Sequence, residues 1–154
     1  MADSPAREVF ESARVWVSGA LFLAGSMAII GSLLDWVTFV IDDERVLELG
    51  ARPSSPVSGF DVGDGRWAAA AGVAIIVAAF LLVIRGRGAG LSLLASIVAG
   101  AVAIADYRDL TNLTADLASG EPQAGIGLTL VVAAAILGLL ASVAGIAATP
   151  RREG

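Results

Sequence analysis

Residues 67–84 read WAAAAGVAIIVAAFLLVI, an unbroken apolar stretch with no charged side chain. A helix needs about 20 mainly apolar residues to cross a hydrocarbon core of about 30 Å, so this stretch predicts a transmembrane helix. Three further stretches have the same character, and they occupy residues 15–34, 89–105 and 126–148. The sequence therefore predicts an all-α membrane protein whose single domain, residues 1–154, is a bundle of four transmembrane helices.

Charged residues predict where these helices end. An aspartate at the centre of an inserted helix costs about 2.5 to 3.5 kcal/mol, whereas a leucine or isoleucine contributes only about 0.3 to 0.6 kcal/mol. Asp35 and Asp106 are therefore expected to mark helix ends. Trp36, Trp67 and Tyr107 lie beside predicted ends on one side of the membrane, where amphipathic rings are expected at the level of the lipid headgroups.

Arginine placement predicts the orientation. With four spans, residues 1–14, 85–88 and 149–154 share one side of the membrane, and residues 35–66 and 106–125 share the other. Six of the ten arginines lie on the first side, whereas the second side carries most of the carboxylates. Because short cytoplasmic segments are enriched in arginine and lysine, both termini are expected in the cytoplasm and the protein in the plasma membrane.

The composition limits the chemistry that the chain can perform. A hydrophobic content of 56% and a mean hydropathy of +0.80 exceed what a soluble domain needs, so the excess is expected to face lipid. The chain has no histidine, cysteine or lysine, and the predicted spans hold no cluster of carboxylates. We therefore predict no enzyme, no cofactor and no metal site. The net charge of −5 disfavours nucleic acid, which leaves membrane lipid and other membrane proteins as expected partners.

The first outer loop is the longest segment outside the predicted spans. Residues 37–41, 46–49 and 57–62 within it are β-branched, aromatic or partly alternating, so a small β-like extracytoplasmic cap is expected. Loops often carry binding residues, and four residues at the end of this loop are candidates for binding a partner. They are Phe60, Asp61, Asp64 and Trp67.

Asp61 and Asp64 also raise the alternative of a cation site. Two carboxylates three residues apart on a glycine-rich turn can bind a hard cation such as calcium, although the other oxygen ligands of a calcium loop are missing. A plain acidic turn before the second span, in which Asp64 caps the helix, explains the same residues and is preferred.

Small residues recur at every fourth position in each predicted span, a pattern that lets helix backbones approach closely in a membrane. Such a stripe either packs within its own bundle or remains free for a partner helix or a second copy. On the third span, Ser92, Ser96 and Gly100 are candidates for the second role. The stripes are Gly88, Ser92, Ser96 and Gly100 on the third span, Ala20, Ala24, Ala28 and Ser32 on the first, Ala70, Ala74 and Ala78 on the second, and Ala134, Gly138 and Ser142 on the fourth.

The two halves of the chain share one plan, either because of a repeat or because of their similar composition. Asp35-Trp36 and Asp106-Tyr107 end the odd spans, and a Gly-x-Gly sequence precedes each even span. Together with the SGFDVGDGRW entry at residues 58–67 and the GIGLTLVV start at residues 125–132, these features resemble small four-span membrane proteins of high-GC bacteria, for which no activity is established. The plan is also similar to that of claudin-like tetraspans, whose paired loop cysteines and Gly-Leu-Trp signature are absent here.

These observations favour binding over chemistry. We expect an accessory, assembly or interaction subunit that binds another membrane protein or itself. A small homo-oligomeric channel or transporter component is the alternative, although transporters usually keep ionisable residues at the membrane midplane and the predicted spans contain none.

Overall fold

A computed structural model describes residues 5–40, 54–62, 64–113 and 121–148. In chain order its elements are helix α1 (Pro5–Leu33), strands β1 (Asp35–Val40) and β2 (Ser54–Ser58), the single helical turn α2 (Gly59–Val62), helices α3 (Gly65–Arg85) and α4 (Ala89–Leu113), strand β3 (Glu121–Ala124) and helix α5 (Ile126–Ala147). Helices α1, α3, α4 and α5 are each long and apolar enough to cross a membrane. The predicted helical bundle with four candidate spans is confirmed, and the chain has the architecture of an integral membrane protein.

The helix ends agree with the prediction at Asp35 and differ at Asp106. Helix α1 ends at Leu33, and Asp35 begins β1. Helix α4, in contrast, continues through Asp106 to Leu113, so the prediction that Asp106 ends a helix is wrong and the third span is not a short one. The predicted turn between the second and third spans is present, because Gly86 ends α3 in the left-handed conformation with φ of 63°.

The four long helices form a closed ring. Helix α1 packs against α3 and α5, and α4 packs against the same two helices from the opposite side. Each helix therefore contacts its neighbours in sequence, and α5 closes the ring against α1, as in an up-down-up-down bundle.

Two pairs of glycines set the distance of α1 from its neighbours. A Cβ atom on Gly25 would lie 2.6 Å from the carbonyl oxygen of Gly72 in α3, and one on Gly72 would lie 2.7 Å from that of Gly25. Gly31 and Gly127 make the same reciprocal contact between α1 and α5, because a Cβ on Gly31 would lie 2.8 Å from the oxygen of Gly127. Since real Cβ atoms do not come this close, only glycine permits these helix crossings.

The interior is filled mainly by small side chains. Leu21, Ala24 and Ile75 belong to one buried cluster, and Trp36 and Val131 belong to a second. The predicted stripe on the first span is inside, because Ala24, Ala28 and Ser32 have no exposed surface. On the second span the prediction is wrong in part: Ala70 is exposed, and the buried face runs through Ala68, Gly72, Ile75 and Ala79 instead. Large apolar side chains such as Leu94 and Leu140 point outward, as expected where lipid surrounds the bundle.

A three-stranded antiparallel sheet lies at the end of the bundle where α1 gives way to β1. Its order is β2-β1-β3, with Thr38 paired to Pro56 on one side and to Gln123 on the other. Because β1 is the central strand, it joins the first outer segment to the second. Pro56 and Pro122 place prolines on both outer strands, which disfavours further strand pairing because proline has no N–H to donate.

The strand predictions have mixed outcomes. The segment 37–41 falls on β1 as far as Val40, but in the segment 57–62 only Val57 and Ser58 are extended, and Gly59–Val62 is helical. Strand β3 was not predicted. The segment 46–49 lies outside the described residues, as do Gly63 and the acidic run Asp42-Asp43-Glu44.

Candidate functional site: the sheet end of the bundle

Trp36 holds the sheet to the helices. Its side chain is 1% exposed, and its Nε1–H donates a 2.7 Å hydrogen bond to the carbonyl oxygen of Gly31 in the last turns of α1. The ring is therefore enclosed by protein rather than exposed to lipid or water, and its depth relative to the lipid headgroups stays a prediction. A buried indole needs a partner for its N–H, and the end of α1 supplies a carbonyl group for it.

Glycines make room for the indole on two sides. A Cβ on Gly59 would overlap the Trp36 ring, lying 2.6 Å from Cδ2 and closer still to Cε2 and Nε1. A Cβ on Gly127 would lie 2.8 Å from Cδ1 of the same ring. Gly125 fixes the strand beside it, since its N–H donates a 2.7 Å hydrogen bond to the carbonyl oxygen of Trp36. Gly59, which precedes the second span, and Gly127, at the start of the fourth, therefore both enclose Trp36.

The corner between β2 and α3 is built by short-range contacts. The Ser58 Oγ–H donates a 2.7 Å hydrogen bond to Oδ2 of Asp61, and Ser58 Oγ accepts one of 3.3 Å from the backbone N–H of Asp61. Ser58 therefore caps the turn α2 by accepting from the N–H of Asp61, and the bond to the Asp61 carboxylate orients its hydroxyl. A Cβ on Gly65 would lie 2.6 Å from the carbonyl oxygen of Gly59 and 2.8 Å from the backbone nitrogen of Phe60, so the chain turns tightly into α3.

This corner presents the four predicted binding residues, all of them exposed. Phe60 is 38% exposed and Trp67 is 64% exposed, and the side chains of Asp61 and Asp64 are also accessible. Tyr107 is 56% exposed, and the expected place of Trp67 and Tyr107 at the level of the lipid headgroups stays a prediction. We define the corner surface as Phe60, Asp61, Asp64 and Trp67.

Asp64 and Asp106 bring two carboxyl groups together beside the corner surface. Asp64 precedes α3 but makes no side-chain capping hydrogen bond, so its predicted capping role is wrong. Its side chain instead interacts with that of Asp106 through a hydrogen bond. Asp106 is 9% exposed, and its Oδ2 has no partner among the residues the structure describes. Two carboxyl groups can share a hydrogen bond only when one of them carries a proton, and sequence spacing alone does not reveal that these two meet.

The side chains of Asp61 and Asp64 point to different partners, which argues against the alternative that these two residues bind one cation. Asp61 turns back to Ser58, whereas Asp64 faces Asp106. Across residues 5–40, 54–62, 64–113 and 121–148, no group of three or more acidic, histidine or cysteine residues is placed to hold a metal ion. The acidic turn is the interpretation that fits this geometry.

The stripe on the third span lies inside the bundle. Ser92 and Ser96 have no exposed surface, and the Oγ atoms of Ser92 and Ser142 of α5 are joined by a 2.7 Å hydrogen bond. Ser96 faces Gly138 of α5 so closely that a Cβ on Gly138 would overlap its Oγ, and a Cβ on Gly100 would lie 3.5 Å from that of Ala135. The stripe thus packs α4 against α5, and Ser92 and Ser96 present no free surface to a partner.

Comparison with known proteins adds no further identification. The chain matches no protein-family model and no curated protein sequence. The resemblance to small four-span bacterial membrane proteins stays a prediction.

Proposed function

We propose that the chain is a non-enzymatic subunit of the plasma membrane that binds another membrane protein or a second copy of itself through the corner surface. One observation carries this proposal: two aromatic and two acidic side chains are exposed together on a turn that tight glycine contacts and a capping pair hold in place. Aromatic residues contribute strongly to protein interfaces, and a fixed backbone lowers the entropy lost on binding.

The proposed orientation places the corner surface outside the cell. Arg14, Arg85 and Arg87 lie at the end of the bundle opposite the sheet, and this arginine-rich end suits the cytoplasm. Both termini are then cytoplasmic, and the sheet with α2 forms a small extracytoplasmic cap. In this orientation the partner contacts the cap from outside the lipid, or at its surface.

Packing within the bundle favours this outer surface over a contact made through the third span. Ser92 and Ser96 already serve the α4–α5 contact, so a partner helix has no access to them. Much of the remaining surface of the spans consists of large exposed apolar side chains, which suit contact with lipid. Specific recognition is therefore expected at the cap.

Site-specific photocross-linking in native membranes tests the proposal. A photoreactive phenylalanine analogue is placed at Phe60 or at Trp67, and the matched control is the same analogue at Ile126. Ile126 is 66% exposed at the same end of the bundle, against 64% for Trp67, but it lies on α5 rather than on the corner. We expect a defined protein adduct from positions 60 and 67 and none from position 126.

Two further measurements complete the test: the mass of the adduct, and co-purification of the partner after both aromatic side chains are removed. An adduct of twice the chain's mass identifies a homo-oligomer, and any other mass identifies a different membrane protein. Converting both Phe60 and Trp67 to alanine should abolish co-purification of that partner while the melting temperature is retained. Equal adducts from all three positions, or no adduct from any, would contradict the proposal, and a cation conductance in planar bilayers would favour the channel alternative instead.

A further inference from the structure

A groove of about 230 Å³ runs along the lipid-facing surface between α1 and α3, near the arginine-rich end. Its walls are almost entirely apolar. Phe22 and Phe80 meet edge to face at its inner end, with ring centroids 6.3 Å apart. The lining includes Val15, Ser18, Gly19 and Phe22 from α1 and Phe80 and Val83 from α3.

Gly19 has no side chain to fill this groove, and no contact within the described protein requires a glycine at this position. A Cβ on Gly19 would meet no atom within 4 Å, whereas one on Gly25 or Gly31 of the same helix would strike a neighbouring backbone. A glycine inside a helix is less favourable than alanine. Gly19 therefore leaves space beside α1 that an occupant from outside the chain can use.

Ser18 supplies a polar group that the protein leaves unpaired. Its side chain is 6% exposed, and its Oγ has no hydrogen-bond partner among the described residues. Buried hydroxyl groups are normally paired, either with protein or with another molecule. An occupant that brings an acceptor oxygen into the groove would pair with it.

Positive charge surrounds the mouth of the groove. Arg14 reaches from α1 to the end of α3, where its Nη2–H donates a 3.3 Å hydrogen bond to the carbonyl oxygen of Val83, itself a lining residue. A Cβ on Gly86, between Arg85 and Arg87, would lie 3.2 Å from Nη1 of Arg14. Arg14 therefore lies at this end of the groove, close to the turn that carries Arg85 and Arg87, and Glu11 is the acidic side chain described nearby on α1.

We propose that this groove binds one anionic phospholipid. The acyl chain lies along Gly19 against Phe22 and Phe80, the phosphate lies at Arg14, and an ester oxygen accepts a hydrogen bond from Ser18. Arg14 and Ser18 are four residues apart, about 6 Å along one face of the helix, which matches the offset between a phosphate and the ester groups below it. The headgroup of the lipid thus meets the positive charge of Arg14, and its ester linkage meets the hydroxyl of Ser18. Its apolar tail meets the apolar walls of the groove.

Lipid retention measured by native mass spectrometry tests this site. The intact protein in mild detergent is equilibrated with equal amounts of phosphatidylglycerol and phosphatidylcholine of the same acyl composition. We expect one retained phosphatidylglycerol in preference to phosphatidylcholine. The preference should fall about fivefold in Arg14→Gln, as expected for one arginine close to an anionic headgroup, and should persist in Arg14→Lys.

A matched pair of glycine variants tests the groove itself. Gly19→Leu fills the space and should remove the retained lipid, whereas Gly90→Leu should retain it. Gly90 is the right control because it lies near the same end on α4, is exposed and also has no atom within 4 Å of a Cβ. A Cβ meets no atom within 4 Å at either position, so both variants are expected to fold, which the melting temperature verifies.

Three results would overturn the lipid site. They are equal retention of the two lipids by the unmodified protein, unchanged preference in Arg14→Gln, and the same retained lipid in Gly19→Leu and Gly90→Leu. A homodimer that Gly19→Leu converts to a monomer would assign the groove to a second copy instead, and would also overturn it.

Discussion

Replacing Gly59 by alanine should destabilise the protein, because the added methyl group would overlap the ring of Trp36. The added methyl group would lie 2.6 Å from Cδ2 of Trp36 and closer to Cε2 and Nε1. Carbon atoms in contact are normally about 3.5 Å apart or more, so the indole would have to retreat by about 1 Å. Retreat is opposed by the hydrogen bond from Nε1–H to Gly31 and by Gly127 on another side of the ring. Overpacking of this kind costs about 1 to 3 kcal/mol.

The assay is unfolding of the purified protein in mixed micelles with increasing SDS, followed by circular dichroism. The matched control is Gly90→Ala, where a Cβ meets nothing within 4 Å, and this variant should be as stable as the unmodified protein or slightly more so. In a Trp36→Phe background the smaller ring should relieve the overlap, so the effect of Gly59→Ala should shrink. Equal stability of Gly59→Ala and Gly90→Ala would refute the reasoning, as would strictly additive effects in the double variant.

Two further predictions concern buried polar groups. Ser142→Ala removes the hydroxyl bonded to Ser92 and should lower the free energy of unfolding by about 0.6 kcal/mol. Ser96→Ala removes a buried hydroxyl that has no partner among the described residues, so it should leave the free energy of unfolding unchanged or raised. The same SDS titration compares them, and a larger loss in Ser96→Ala would contradict this assignment. Asp106→Asn retains the shape and can donate an N–H to Asp64, so the thermal midpoint should stay the same or rise; a marked fall would show that the acidic group itself is required.

The spans were predictable because apolar length is a property of the local sequence. Residues 126–148 need no knowledge of their neighbours to be identified as a helix that crosses a membrane, and α5 occupies Ile126–Ala147. The period of four also identified Ser92 and Ser96 correctly as packing positions. It left open which surface they contact, because a stripe on a helix looks the same whether a helix of the same chain or a partner covers it.

The features that were not predicted depend on contacts between distant parts of the chain. Trp36 has the sequence context of a ring at the membrane surface, and it is buried because Gly59 and Gly127 leave space for it from two other elements. Asp106 was expected to end a helix on the cost of its charge, but α4 continues past it, and its side chain meets that of Asp64 from the start of α3. Strand β3 has little intrinsic β-propensity, and its pairing with β1 supplies the order that its own sequence lacks.

Because β1 is the central strand, the sheet can be completed only after its last strand, β3, has been synthesised. Its second partner, β3, ends at Ala124, 84 residues after Val40, which at about 5 to 20 residues per second corresponds to roughly 4 to 17 seconds. Throughout that interval the backbone groups on one side of β1 await their hydrogen bonds, and the indole pocket lacks its wall from the last helix. A nascent chain halted after α4 should therefore expose Trp36 to quenchers and proteases, and membrane insertion of the final helix should protect it.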